Sequence, residues 1–373
     1  MSEYQFVHFL AIDRPLDERQ LGFMREQSSR AEITPWEFTN EYHFGDFHGN
    51  AREMLRRGYD IHLHYANFGI RRLWIRLPAG LPSDRRTFDA FRVEDCLEWT
   101  ADKKGQGGIL EIEPEADAGT YEEDLFDVDR LLPTIAPIRE LLIGGDLRAL
   151  YLAWLACPYD DESLEPPVPA GLGKLPQALE AMATFYEVSD DLIASAALRS
   201  PPSPKSTDAG QRLKDWIAKQ TQDDLRELAG RLLAGDAVAT RAETLARIRD
   251  ETGAGTWPLA EPTRTLAQLR ESAGGVRDQR LQREEQARDR ARRKRLAAIA
   301  ADPSKTIANI EKLVKTRSVD SYEEAASQLA DLCEALGPEP GAARARAVAE
   351  KLRRENPRLH RLIAALRKRG LLD

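Results

Sequence analysis

The sequence predicts an α+β N-terminal domain followed by an all-α C-terminal half, and three observations predict it. Short alternating and β-branched runs recur through residues 1–115, two of them meeting at Gly69. From about residue 131 the apolar residues recur at helical spacing instead. Prolines crowd residues 200–207, where they would stiffen a linker between the halves. At 373 residues the chain is also too long for one ordinary core. The expected layout is an α+β domain over 1–115, with a small mixed or antiparallel sheet and short helices. A helical segment packed on it follows over 116–199, then the linker at 200–207. An all-α array over 208–373 completes the chain, with a long basic helix near 276–300.

Each element has its local reason. Residues 4–12 alternate and carry aromatic and β-branched side chains, so a strand is expected. Asp13 could cap the helix that follows to about residue 27, with Pro15 at its start and Asp17 and Glu18 favouring its dipole. Residues 31–42 read as extended, with Pro35 marking an edge or an irregularity. Residues 50–58 form a short helix that Gly58 stops. Residues 60–68 and 70–77 make a hairpin at Gly69, and 96–102 with 109–113 make a second one around 103–108. The stretch 111–129, with nine carboxylates, should be a solvated boundary; its spacing matches no calcium loop. Helices are expected at 136–143, 146–156 (capped by Asp146), 175–186 and 190–198, with a Pro-rich acidic loop at 158–172. Beyond the linker the helices run 208–219, 223–234, 237–251 and 263–271, and the Gly274-Gly275 pair breaks the last from 276–300. Four more follow at 307–315, 321–336, 342–355 and 357–369, with Ser321 and Glu324 set for a capping box.

Composition narrows the class. The chain is 42% hydrophobic and 31% charged, as a soluble globular protein is. No apolar run approaches the roughly 18 residues that cross a bilayer, and the N-terminus does not read as a secretory signal. Cys96, Cys157 and Cys333 are isolated and far apart, which argues against a disulfide framework or a zinc ribbon. A cytoplasmic protein is the expectation. The net charge of −8 conceals a polarity: residues 1–200 sum to −16, 201–275 to zero and 276–373 to +8. Ends so different suggest different partners, or each other; helical surfaces that simply vary in charge would give the same sums.

Five of the six histidines precede residue 65: His8, His43, His48, His62 and His64. His62 and His64, two apart on a strand, face the same side. With His43, Asp46 and His48 they are candidate ligands for a divalent metal, enough for a catalytic zinc site and a metal-dependent hydrolase. No HExxH or Cys-His signature accompanies them, and a solvated or aromatic-packed strand face is the plainer reading. The glycine-flanked 45–49 turn, with Arg52, Arg56 and Arg57 on the next helix and Arg71, Arg72 and Arg76 on a strand, could hold an anion, or the glycines merely permit the turn. Trp36 joins Arg52, Arg56 and Arg71 as a candidate binding residue. No Gly-x-Ser-x-Gly elbow is present, and Cys96 and Cys157 read as packing residues.

The second chemical feature is basic. Residues 277–295 carry nine bases and four acids, including Arg277, Arg280, Arg292, Arg293, Lys294 and Arg295. Their few apolar positions are too sparse for a buried stripe, so this helix bridges, pairs its charges or binds something. Residues 341–372 repeat the pattern with ten bases against two acids. Such surfaces suit phosphate backbones, an acidic protein, or the chain's own acidic half; a solvated face is the plain alternative.

The phrases at 3–5, 11–16, 28–35 and 40–42, with Gly45-Asp-Phe47, resemble a family of uncharacterised bacterial proteins. The likeness extends through 144–151 and 165–169, about the first half, and carries over no activity. Residues 310–336 are faintly similar to helical regions of bacterial SWIM zinc-finger proteins, whose zinc-binding cysteines this chain lacks. The function expected is a cytosolic interaction or adaptor protein, most simply with a protein partner. Nucleic-acid binding through 277–295 and 344–369 is one alternative, and the histidine-based hydrolase is the other.

Overall fold

Seven short strands from the first 112 residues pair into a single antiparallel sheet. In the computed structural model, which describes residues 3–81, 85–102, 107–115, 128–157, 160–204, 206–234, 237–252 and 257–372, these are β1 (Gln5–Leu10), β2 (Glu32–Ile33), β3 (Glu37–Tyr42), β4 (Ile61–Ala66), β5 (Ile70–Pro78), β6 (Leu97–Ala101) and β7 (Gly107–Ile112). Their order across the sheet is β2-β3-β1-β4-β5-β7-β6. Gly69 turns the β4–β5 hairpin with φ of +114°, a conformation that suits glycine. The 103–106 part of the second turn and residues 116–127 of the acidic stretch lie outside the described residues.

The period-two pattern is visible in what each strand buries. Val7, Phe9, Phe38 and Trp74 face one side, against Met24, Met54, Leu55 and Tyr59. These come from α1 (Glu18–Gln27), α2 (Ala51–Arg57) and the turn after it. Phe6, Leu63, Leu73, Leu110 and Ile112 face the other side. Beyond the short α3 (Arg85–Asp89), that side is covered by α4 (Val128–Ile135), α5 (Ile138–Ile143), α6 (Arg148–Ala156), α7 (Gln177–Phe185) and α8 (Asp190–Ala197), through Leu132, Ile138, Leu142, Leu150, Leu179 and Met182. The result is a three-layer α/β/α sandwich. Burial on both faces explains why β4 is buried at every position, His62 and His64 included.

The chain divides at 277/278, not at the prolines. It forms two compact units, residues 1–277 and 278–373. The start of the proline-rich stretch is fastened to the first unit: Gly171 N–H donates to the Pro201 carbonyl at 2.9 Å, and the Ser200 hydroxyl donates to the Pro169 carbonyl at 2.7 Å. After α9 (Ser206–Ile217), α10 (Gln222–Leu233) and α11 (Ala237–Thr252), the chain returns to pair β8 (Val168–Pro169) with β9 (Leu259–Ala260). The expected loop at 158–172 therefore holds a strand. Arg264 then reaches buried Glu165 with both ends of its guanidinium, at 2.6 and 3.0 Å.

Further local expectations are corrected by better partners. Asp17, with Gln20, makes the capping box of α1, because the Asp13 carboxylate is taken by Arg139. The Gly274-Gly275 pair does not break α12 (Leu266–Ala301). Two glycines cost about 1 kcal/mol each in a helix, which burial of Leu266 and Leu269 at its start and its strong helix formers offset. Cys96 and Cys157 are joined by a disulfide, their Cα atoms 6.1 Å apart. Their separation of 61 residues hides the pairing until α6 packs on the sheet and brings its C-terminus to the start of β6.

The second unit is helical throughout. After the end of α12 come α13 (Pro303–Thr316), α14 (Val319–Leu336), α15 (Pro338–Glu355) and α16 (His360–Lys368). Ser318, one turn before the expected Ser321, caps α14 and accepts the Ser321 N–H at 3.1 Å. Ile310, Val314, Tyr322, Leu329, Val348, Leu352, Leu362 and Leu366 form the unit's core.

Candidate functional site

The clustered histidines do not assemble a metal site. His62 is fully buried, stacked on Phe9 at 4.0 Å, and its Nδ1 donates to the His8 carbonyl at 3.2 Å. Burial, with His64 and Arg72 beside it, holds its imidazole far below the usual range. His64 donates from Nε2 to the Gln5 side-chain oxygen at 3.0 Å, and Gln5 in turn donates to Asp46 at 2.8 Å and to the Gly45 carbonyl at 3.2 Å. The 45–49 loop thus folds toward His64, but an amide stands between imidazole and carboxylate. His43 and His48 are exposed on the loop. Among the described residues no group of three or more His, Cys, Asp and Glu is placed to hold a metal ion. Of the expected set, the structure brings His62 and His64 together on one face, their ring centroids 6.3 Å apart, and links His64 to Asp46 through Gln5.

The arginines of the first unit mostly hold the fold. Arg71, on the face of the sheet that α7 covers, donates to the Phe185 carbonyl and, at 2.7 Å, to Glu187. Arg52 forks onto Glu111 at 2.8 and 2.6 Å and lies 5.1 Å from the Trp74 ring centroid. Arg56 meets Asp102 at 3.0 Å, and Arg72 forks onto Glu113. Arg71 and Arg72 point to opposite faces, as strand neighbours must, so the arginines expected to gather beside the 45–49 turn do not converge there. Asn50 caps α2 with its own side chain, accepting the Glu53 N–H that an anion would otherwise take. Trp36 is half exposed in the turn before β3.

The basic helices differ in kind. Arg292 and Arg295 of α12 are spent within the second unit, on Glu334 at 2.7 Å and Asp331 at 3.0 Å of α14. Arg280 pairs with Glu284 along its own helix at 3.6 Å. Arg293 and Lys294 are exposed without an acidic partner among the described residues, as is Arg277. The denser set lies on α15, α16 and the turn between them. Arg344, Arg346, Arg354, Arg358, Arg361 and Lys368 are all exposed, and none has an acidic partner among the described residues. Lys351 is bound to Glu311 at 2.7 Å, and Arg369 donates to the Ser327 hydroxyl at 3.4 Å. The composition of 341–372 signals this surface, whereas the run 292–295 is half anchor, because two of its four bases face α14.

Compared with known proteins, the chain matches no family, no curated protein and no solved structure.

Proposed function

We propose that this is an interaction protein whose helical unit binds the phosphate backbone of nucleic acid. The observation that carries the reading is a set of exposed cations on α15, α16 and the turn between them: Arg344, Arg346, Arg354, Arg358, Arg361 and Lys368. Throughout the first unit, buried arginines answer to carboxylates: Arg71 to Glu187, Arg139 to Asp13, Arg148 to Asp146 and Arg264 to Glu165. On α15, α16 and the turn between them six exposed cations have no such answer among the described residues. Like charges left close together repel, and a polyanion relieves that repulsion while releasing its counterions.

An acidic protein offers the same charge, but protein interfaces are centred on apolar or aromatic anchors with charges at the rim. Among the described residues of the second unit the large exposed hydrophobics are Leu281 and Val319, neither on α15 or α16. A basic surface without an anchor suits phosphates spaced along a strand, and guanidinium forks fit phosphate oxygens well.

Competition tests the choice. Full-length protein bound to a fluorescent DNA duplex is titrated with poly-glutamate of equal charge and, separately, with unlabelled duplex. The reading expects unlabelled duplex to displace the probe and poly-glutamate to do so only weakly. Equal displacement by both would assign the surface to acidic proteins.

A further inference from the structure

A second concentration of arginine lies in the first unit, in a cleft of about 270 Å³ at one end of the sheet. It is bounded by Asp13 and Arg14 after β1, Arg56 and Arg57 at the end of α2, Asp60 before β4, and Arg76 near the end of β5. Its floor is built from paired charges. Arg139 of α5, with only 3% of its side chain exposed, forks onto Asp13 with both distances at 2.6 Å and lies 3.4 Å from Asp60. Asp60 accepts the backbone N–H groups of Ile12 and Asp13 at 2.7 and 3.0 Å, which fixes the loop that carries Arg14. The Arg76 backbone is fixed from both sides. Its N–H donates to the Asp60 carbonyl at 2.8 Å, and its carbonyl accepts from Arg139 Nε at 2.8 Å.

The floor consumes its own charge, and the rim does not. Arg76 is half-buried and has no hydrogen-bond or ion-pair partner for its guanidinium among the described residues. That sets it apart from the other arginines of the sheet, Arg71 and Arg72, each held by a glutamate. Arg14 at the mouth is likewise unpaired among the described residues. Arg57 shares Glu53 with Arg56 at 3.2 and 3.4 Å, so the lining retains an excess of positive charge. Guanidinium groups set on fixed backbone around a recess bind an oxyanion at little ordering cost.

We infer that this cleft is a binding site for a small phosphate-bearing ligand, its phosphate held between Arg14 and Arg76 with Arg57 beside it. The cleft is sized for a compact phosphate or diphosphate group rather than a long strand. It lies in the first unit, whereas α15 and α16 belong to the second.

The probe is pyrophosphate, titrated calorimetrically into the full-length protein, with Arg76→Gln and Arg14→Gln variants in parallel. The expected result is saturable one-to-one binding that each variant weakens by about tenfold or more, as removal of a charge-assisted hydrogen bond does. Arg14 is exposed, so its variant reports on the site even where Arg76→Gln lowers the melting temperature. No binding to the wild type, or equal binding by wild type and Arg14→Gln, would overturn the proposal. A duplex-DNA arm separates the two sources of phosphate: duplex affinity unchanged by Arg14→Gln supports a small-molecule site. Duplex affinity that falls together with pyrophosphate binding would reassign the cleft to nucleic acid.

Discussion

His64 shows what burial does to one side chain. Desolvation, with Arg72 adding to it and Asp46 opposing, brings its imidazole down to about 4. An unfolded chain protonates the same group near 6.5. Between those values the unfolded state takes up a proton that the folded state refuses, so this group's stabilisation is complete above about pH 6.5. It is lost as the pH falls toward 4, and the total change is roughly 3 kcal/mol. A His64→Gln variant should therefore show a shallower fall in its urea midpoint across that window than the wild type does. Identical pH profiles would contradict the assignment. Alternation alone puts His62 and His64 on one strand face, and that expectation holds. It does not reveal that the face is covered, because the helices that cover it lie close in sequence but not in any local pattern. The same limit hides the roles of Asp13 and Asp17, since the partner that takes Asp13 is Arg139, on the opposite layer.

At the scale of elements, glycines separate what a helix tolerates from what packing requires. Around Gly274 and Gly275 an added Cβ meets nothing within 4 Å. At Gly341 it would strike the Cys333 carbonyl, because α15 lies directly on α14 there. Gly274→Ala should thus raise the midpoint of thermal unfolding, by up to about 1 kcal/mol of stability. Gly341→Ala should lower it, by roughly 1–3 kcal/mol. The two variants shifting in the same direction would mean that α14 and α15 do not approach as described. Element positions are largely legible in the sequence, since strands and helices follow local periodicity. The β8–β9 pair is not, because it depends on chain that returns from nearly a hundred residues away. The Cys96–Cys157 bridge belongs with it. It closes 61 residues, and in the chain-entropy account it would contribute roughly 4 kcal/mol. Denaturing the protein with and without reductant should show the midpoint drop on reduction, and alkylation of all three cysteines in unreduced protein would contradict the bridge. Such bridges are rare in reducing compartments, which weighs against the cytoplasmic expectation. Among the described residues no helix is long and apolar enough to cross a membrane.

The whole molecule has an α/β/α unit and a helical unit, and the charge polarity of the sequence follows that division more closely than it follows the prolines. Of the excess of +8 over 276–373, +7 belongs to residues 278–373, the second unit, and the remaining charge is Arg277 at the boundary. Charge sums need no fold to be read, so this feature is legible in the sequence alone. Which cations are free is not, because that depends on the carboxylates of α14. The proposed role rests on those free cations, and salt dependence measures them directly. Duplex-DNA affinity of the full-length protein should fall linearly on a log–log plot against salt. Charge reversal at Arg354, Arg358 and Arg361 removes three exposed cations from the surface. The Arg354→Glu/Arg358→Glu/Arg361→Glu variant should therefore have a slope shallower by up to about 2.7, at ~0.9 for each phosphate that is no longer neutralised. The same slope in wild type and triple variant, or affinity that does not change with salt, would contradict the proposal that α15 and α16 bind phosphates.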